Sequence, residues 1–169
     1  ISIDPEMLGR IFESLLEENI RDKRGAFYTP RIIVKDMCDK SLINYLNNKL
    51  KDKVSINEIS EFVLNEKFDV SKNKNVKNNI EFIDFLLQDI KICDPAIGSG
   101  AFAVGMVNLV SRLRVLLKDF INRKYKNTAY YFKRDCIENS IYGVDIDISA
   151  VEIAKLRLWL SLIVEQENY

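Results

Sequence analysis

The sequence predicts an α/β domain built on a parallel sheet and preceded by a helical N-terminal segment. Two observations carry this. From residue 90 the chain reads strand, glycine loop, helix, strand, helix, the order that opens a parallel sheet with helical crossovers. Before residue 90 it reads as successive amphipathic helices with caps and no alternating strand pattern. The expected division is 1–89 for the helical segment and 90–169 for the first half of the α/β domain.

The elements follow in order. Asp4-Pro5 has the form of a helix start, with Asp4 as cap and Pro5 in the first turn, and Met7, Leu8, Ile11, Leu15 and Leu16 form its apolar stripe. Arg21 to Gly25 breaks it. Thr29-Pro30 is a second cap-plus-proline start. The helix after it is expected to reach about Leu50, with Ile33, Val34, Met37, Leu42, Ile43 and Leu46 inward. Ser55-x-x-Glu58 is a capping-box pattern opening a short helix to Asn65. Residues 69–79 are polar and read as a loop, and Ile80 to Gln88 as a helix. Ile90 to Cys93 reads as a buried strand, Asp94 to Gly100 as a loop, and Ala101 to about Asn122 as a long helix. A helical stretch over 128–139 follows, then a strand over Ile141 to Val144 and a helix from Ser149 to Val164.

Composition excludes several function classes. The 169 residues are 47% hydrophobic, enough for a real core in one domain. Lys plus Arg and Asp plus Glu both number 25, so no whole-chain cationic field exists to clamp nucleic acid. There is no histidine, which removes the commonest general base and metal ligand. Cys38, Cys93 and Cys136 form no C-x-x-C pair, so neither a disulfide framework nor a zinc site is expected, and no metal is assigned. A reducing cytoplasm fits, and no apolar run approaches a membrane span. Ile1 rather than a methionine begins the chain, from which we expect a piece of a longer protein.

The sharpest local feature is Asp94-Pro95-Ala96-Ile97-Gly98-Ser99-Gly100-Ala101-Phe102. It leaves a strand and opens a helix, the setting of a ligand-cradling loop. Gly98 and Gly100 allow a tight turn and close approach of a ligand. The helix N-terminus favours an anionic group. Asp94, at the carboxyl end of its strand, suits a cationic one. A pyrophosphate would be repelled by Asp94, so the loop prefers a ligand with both charges, such as an amino acid moiety. The competing reading is a plain strand-to-helix turn. The second strand ends Gly143-Val144-Asp145-Ile146-Asp147. There Asp145 can accept from two ribose hydroxyls, Ile146 can pack on an adenine ring, and Asp147 serves as a helix cap.

These blocks carry a resemblance. Asp94 to Phe102 resembles the cofactor loop of amino-methyltransferases that modify adenine in DNA. Gly25-Ala26-Phe27-Tyr28-Thr29-Pro30 resembles the motif that precedes that loop when this block comes first. Gly143 to Asp147, with Ala150-Val-Glu-Ile-Ala-Lys-Leu-Arg-Leu-Trp-Leu160, resembles the ribose-binding strand and its helix. Together they are similar to the methyltransferase region of type IIG and type I-like restriction–modification enzymes over residues 4–36 and 90–164. The resemblance implies a partial Rossmann-like methyltransferase fold with S-adenosylmethionine as cofactor. It assigns Tyr28, Thr29 and Pro30 to the methionine end, beside Asp94, Pro95, Ala96, Gly98, Gly100, Asp145 and Ile146. Phe27 and Phe102 have two readings, as cofactor neighbours or as ordinary core. The family's Asn/Asp-Pro-Pro-Tyr/Phe block, which holds the target amine and stacks on the flipped base, is missing. Pro5, Pro30 and Pro95 are the only prolines. The expectation is therefore a cofactor-binding segment with no catalytic residue, inactive alone, whose parent reaches double-stranded DNA through other parts. A methyltransferase for RNA or protein glutamine, and a non-catalytic nucleotide- or partner-binding module, are the alternatives.

Other features have plainer readings. Arg112, Arg114, Lys118, Arg123, Lys124 and Lys126 read as a solvated helix face, and Tyr130-Tyr131-Phe132 as packing. Leu156, Leu158, Trp159, Leu160, Leu162, Ile163 and Val164 wrap their helix, which implies an exposed apolar patch or self-association.

Overall fold

The computed structural model describes residue 7 and residues 29–121 and 128–167. The helix expected after Asp4, with its stripe from Leu8 to Leu16, lies outside the described residues. Among the described residues the chain is mostly helical, with one two-stranded parallel sheet.

Helix α1 spans Arg31–Leu50. Its cap differs from the expected one. Pro30, not Thr29, holds the N-cap position, with ψ 139° and its carbonyl accepting from Ile33 N and Val34 N. An extended ψ keeps Pro30 out of the first turn, so Thr29 stands one residue too early to cap. The buried stripe is Val34, Cys38, Leu42, Leu46 and Leu50, one residue per turn. Ile33 and Met37 were expected inward but are 47% and 50% exposed. A stripe repeating every four residues is narrow and leaves them on its flank.

Helix α2, Ile56–Leu64, opens with the predicted capping box. Ser55 N donates to Glu58 Oε2 at 2.9 Å, and Glu58 N to Ser55 Oγ at 3.3 Å. The stretch expected to be a loop over 69–79 is ordered by its own polar residues. Asp69 accepts from Ser71 N and caps a 3-10 turn over Val70–Lys72; Asn73 accepts from Val76 N and caps α3, Lys74–Asn78. Val70 and Val76 are the buried anchors. The polar composition is capping chemistry. Helix α4, Ile80–Asp89, buries Ile83, Asp84 and Leu87.

The α/β part is β1 (Ile92–Asp94), α5 (Ala101–Leu117), α6 (Thr128–Asn139), β2 (Ile141–Gly143) and α7 (Ile148–Glu167). The strands pair in parallel, with Ile92 opposite Ile141, Cys93 opposite Tyr142 and Asp94 opposite Gly143. Helices α5 and α6 form the long connection that parallel pairing requires. One buried cluster runs from Val34 in α1 through Leu87 in α4 to Val110 in α5 and Leu158 in α7. Gly105 permits the crossing of α1 and α5: a β-carbon there would stand 3.0 Å from Val34 Cγ1 and 3.1 Å from Cys38 Sγ.

Two expectations about charge and packing change. Arg114 is 1% exposed, not on a solvated face. Its Nε donates to Asp84 Oδ1 at 3.0 Å and its Nη1 to Asp135 Oδ2 at 2.7 Å, and the guanidinium lies 4.3 Å from the Phe132 ring centroid. It ties α4, α5 and α6 together. Arg112 donates to the Val63 carbonyl, and burial holds its pKa below the ordinary arginine value. Arg123, Lys124 and Lys126 lie outside the described residues. In the triplet expected to pack, Phe132 is buried and Tyr131 is exposed. On α7 the packed face is Ala150, Ala154, Arg157, Leu158 and Ser161, while Leu156 and Trp159 face outward. Val144, Ile146 and Ile148 are exposed as well.

Replacing Arg114 by leucine removes the cation that bonds the buried Asp84 carboxylate at Oδ1. We expect a loss of about 3–5 kcal/mol in a urea unfolding titration. A loss under 1 kcal/mol would mean that the ion triad contributes little.

Candidate functional site

The parallel register brings the ends of β1 and β2 together. Val144 N donates to the Asp94 carbonyl at 3.0 Å, and Ile97 N to the Val144 carbonyl at 3.0 Å, so the ladder continues into the loop. Asp94 and Asp145 therefore share the carboxyl end of the sheet, where open α/β sheets take ligands.

The loop is built by short-range bonds. Ala96 N donates to Asp94 Oδ1 at 3.1 Å, and Gly100 N to the Ile97 carbonyl at 2.8 Å. Gly98 and Gly100 have φ of +51° and +83°, the left-handed region that favours glycine. The two glycines do different work. Among the described residues, a β-carbon on Gly98 would meet only Ala96 O, at 4.0 Å, so among them that side of the turn is open. A β-carbon on Gly100 would stand 2.8 Å from Ala154 Cβ on α7. Gly100 is a packing position; Gly98 is where a ligand has room. Ile97 is buried over Gly143, away from the open side.

Asp145 spans the two loops. Its Oδ2 accepts from Gly98 N at 2.8 Å and its Oδ1 from Asp147 N at 2.9 Å. Each carboxylate oxygen keeps accepting capacity for another donor. Because Gly98 N already donates to a carboxylate, it is not available to a phosphate. Asp147 Oδ1 accepts from Ser149 N at 2.9 Å, the expected cap of α7. Ile146 is 92% exposed beside this turn. Asp94 Oδ2 is buried and, among the described residues, accepts no hydrogen bond. A carboxylate oxygen in that state calls for a donor, and a cationic one answers both its charge and its lone pairs.

A cavity of about 390 Å³ flanks β1. Met37, Cys38 and Tyr45 of α1 and Phe102 and Met106 of α5 form its apolar walls, with Asp94 and Pro95 on its lining. Its size is that of small-ligand sites. Gly98, Gly100 and Asp145 do not line it, so Asp94 and Pro95 are the points where cavity and loop meet. Thr29 and Pro30 stand at the start of α1 and do not line it. Ala96 is exposed on the loop, and Tyr28 and Phe27 lie outside the described residues. Sequence reasoning missed Met37, Tyr45 and Met106 as walls of a hollow, since a helix stripe does not reveal which flank is covered. It also missed Arg157, a lone charge in the apolar run Leu156 to Leu160. Its Nη1 donates to Ser99 O at 2.8 Å.

The thiols divide by burial. Burial pushes Cys38 up to about 11 and Cys136 up to about 12, from an ordinary value of 9.0. Cys93 is exposed at the cavity.

Two known proteins are similar to this chain. One, from Methanocaldococcus jannaschii, is described as a type II restriction enzyme and methyltransferase; it is 34% identical over 177 aligned positions covering 96% of this chain. The other is DNA methyltransferase A of Bacillus subtilis, 24% identical over 167 positions covering 94% of this chain. The chain spans only 14% and 16% of their lengths. No family model matches the sequence, and no solved structure matches it.

Two outcomes are expected. Gly100→Ala should lower stability by about 1–3 kcal/mol by denaturant titration, from the positive φ and the contact with Ala154. Brief iodoacetamide treatment of the folded protein at pH 8 should label Cys93 and spare Cys38 and Cys136, as read by peptide mass spectrometry. The two buried thiols stay neutral where unfolded thiols ionise. Their contribution to stability is thus whole below pH 9 and is lost as pH rises from 9 toward 11–12.

Proposed function

We propose that this chain is the cofactor-binding part of a DNA adenine methyltransferase of the restriction–modification type. In the complete protein it would serve transfer of a methyl group from S-adenosylmethionine to the exocyclic amine of adenine. Similarity to two longer proteins, one named as a type II restriction enzyme and methyltransferase and the other as a DNA methyltransferase, supports a DNA methyltransferase or restriction–modification protein. The observation that carries the cofactor reading is the pairing of Asp94 and Asp145 at one end of the sheet, around the open side of Gly98.

The residues present fit the group. S-adenosylmethionine, when bound, supplies an electrophilic methyl on a sulfonium. Asp94 Oδ2, buried and without a donor, suits the ammonium of the methionine end. The N-terminus of α5 favours its carboxylate. Asp145 has lone pairs left for ribose hydroxyls, and exposed Ile146 offers an apolar surface to the adenine. By family resemblance Tyr28, Thr29 and Pro30 close the methionine end, with Pro95, Ala96, Gly98 and Gly100 as the loop wall. This is the cofactor crevice of a Rossmann-like fold in which 1–89 is the helical segment and 90–169 the first half of the α/β domain.

The amine is held by a block this sequence does not contain, so residues 1–169 alone would not methylate DNA. With zero net charge, they would leave most double-stranded DNA contacts to other parts of a cytoplasmic protein. Exposed Leu156 and Trp159 would favour self-association of this piece made alone. A nucleotide-binding module anchored on phosphate fits less well, because Gly98 N is already bonded and Asp94 would repel the anion.

Calorimetric titration of the full-length protein with S-adenosylmethionine tests this. Asp145→Ala and Asp94→Asn should each weaken binding roughly tenfold to a hundredfold, the worth of one charged hydrogen bond. Ligand-free melting curves would separate binding from folding. Wild-type affinity in both variants would sink the reading.

A further inference from the structure

Arg157 lies three residues beyond Ala154 on α7, on the same face of the helix. It is 3% exposed. Its Nη1 donates to Ser99 O at 2.8 Å and to Ser99 Oγ at 3.1 Å. Ser99 sits between the two left-handed glycines. Helix α7 thus meets the turn twice: Ala154 packs on Gly100, and Arg157 bonds Ser99.

Burying a guanidinium forfeits strong hydration, and an apolar side chain could fill the same space without that loss. What arginine adds is a planar, forked head, of which Nη1 donates to both Ser99 O and Ser99 Oγ. Glycine has the widest conformational freedom of any residue, so a Gly-Ser-Gly turn left to itself samples many shapes. Asp145 fixes one side through Gly98 N, and Arg157 fixes the middle.

We propose that Arg157 is a positioning residue for cofactor binding: it holds Ser99 so that the open side of Gly98 keeps the shape the ligand needs. This rests on the reading of the turn as the S-adenosylmethionine site. Without the fork, the ligand must order the turn as it binds, and affinity falls by the cost of that ordering.

The test uses the full-length protein and two readouts. Hydrogen–deuterium exchange on peptides spanning 95–101 reads the turn without ligand. In Arg157→Gln these amides should exchange at least tenfold faster, with α1 peptides unchanged. Calorimetry with S-adenosylmethionine should show binding tenfold to a hundredfold weaker, and Arg157→Lys should recover part of both effects. If Arg157→Gln does not fold, Ser99→Ala, which removes the hydroxyl and keeps the Ser99 carbonyl bond to Nη1, should show both effects at two- to fivefold. Unchanged exchange in the folded variants overturns the proposal. Faster exchange with unchanged affinity overturns the positioning role while the cofactor site stands. A wild-type protein with no affinity overturns the cofactor reading itself and the role with it.

Discussion

Parallel pairing of two three-residue strands is the constraint from which the rest follows. Parallel strands cannot be joined by a tight turn, so the chain must leave at Asp94 and come back far away at Ile141. Helices α5 and α6 make that journey, and α5 becomes the element against which α1, α4 and α7 pack. Pairing Asp94 with Gly143 brings both outgoing loops to the same edge. There they are stitched by Gly98 N to Asp145 and by Val144 N to Asp94. A one-residue slip would part these bonds and reverse the faces of Cys93 and Asp94.

The second consequence is electrostatic. Two acidic side chains meet at the turn, and the amide most exposed to a ligand is already engaged by one of them. Such a site discriminates by charge before it discriminates by shape. A phosphate would find the Gly98 amide occupied and a carboxylate nearby; on the proposed reading a zwitterion would set its ammonium on Asp94 and its carboxylate toward the N-terminus of α5. The buried Arg157 reaches the same turn from α7 through Ser99.

Much of this was legible in the sequence, for identifiable reasons. The capping box at Ser55 and Glu58, the cap at Asp147 and the strand–loop–helix order at Asp94 are local signals, satisfied by residues within a few positions. Misread features depend on partners far away in the chain. Arg114 looks like part of a basic face because Asp84 and Asp135, which bury it, are 30 and 21 residues distant. Residues 69–79 look like a loop because short capped turns anchored by single valines carry no periodicity. Ile33 and Met37 look inward because a pattern cannot show how wide the covering partner is. In the site, Asp94, Gly98 and Asp145 follow from their positions at strand ends, whereas the hollow along β1 needs α1 to cross α5 at Gly105, a contact 67–71 residues apart in sequence.

The unfilled oxygen of Asp94 has a thermodynamic meaning beyond recognition. A buried acceptor without a donor costs about 1–3 kcal/mol of folding free energy. Selection for stability alone would replace it with something apolar. On the proposed reading, the ammonium of a bound cofactor would return that free energy to the fold. A ligand that binds only the folded chain raises its stability as ligand concentration rises, so resistance to unfolding would then follow the supply of that small molecule.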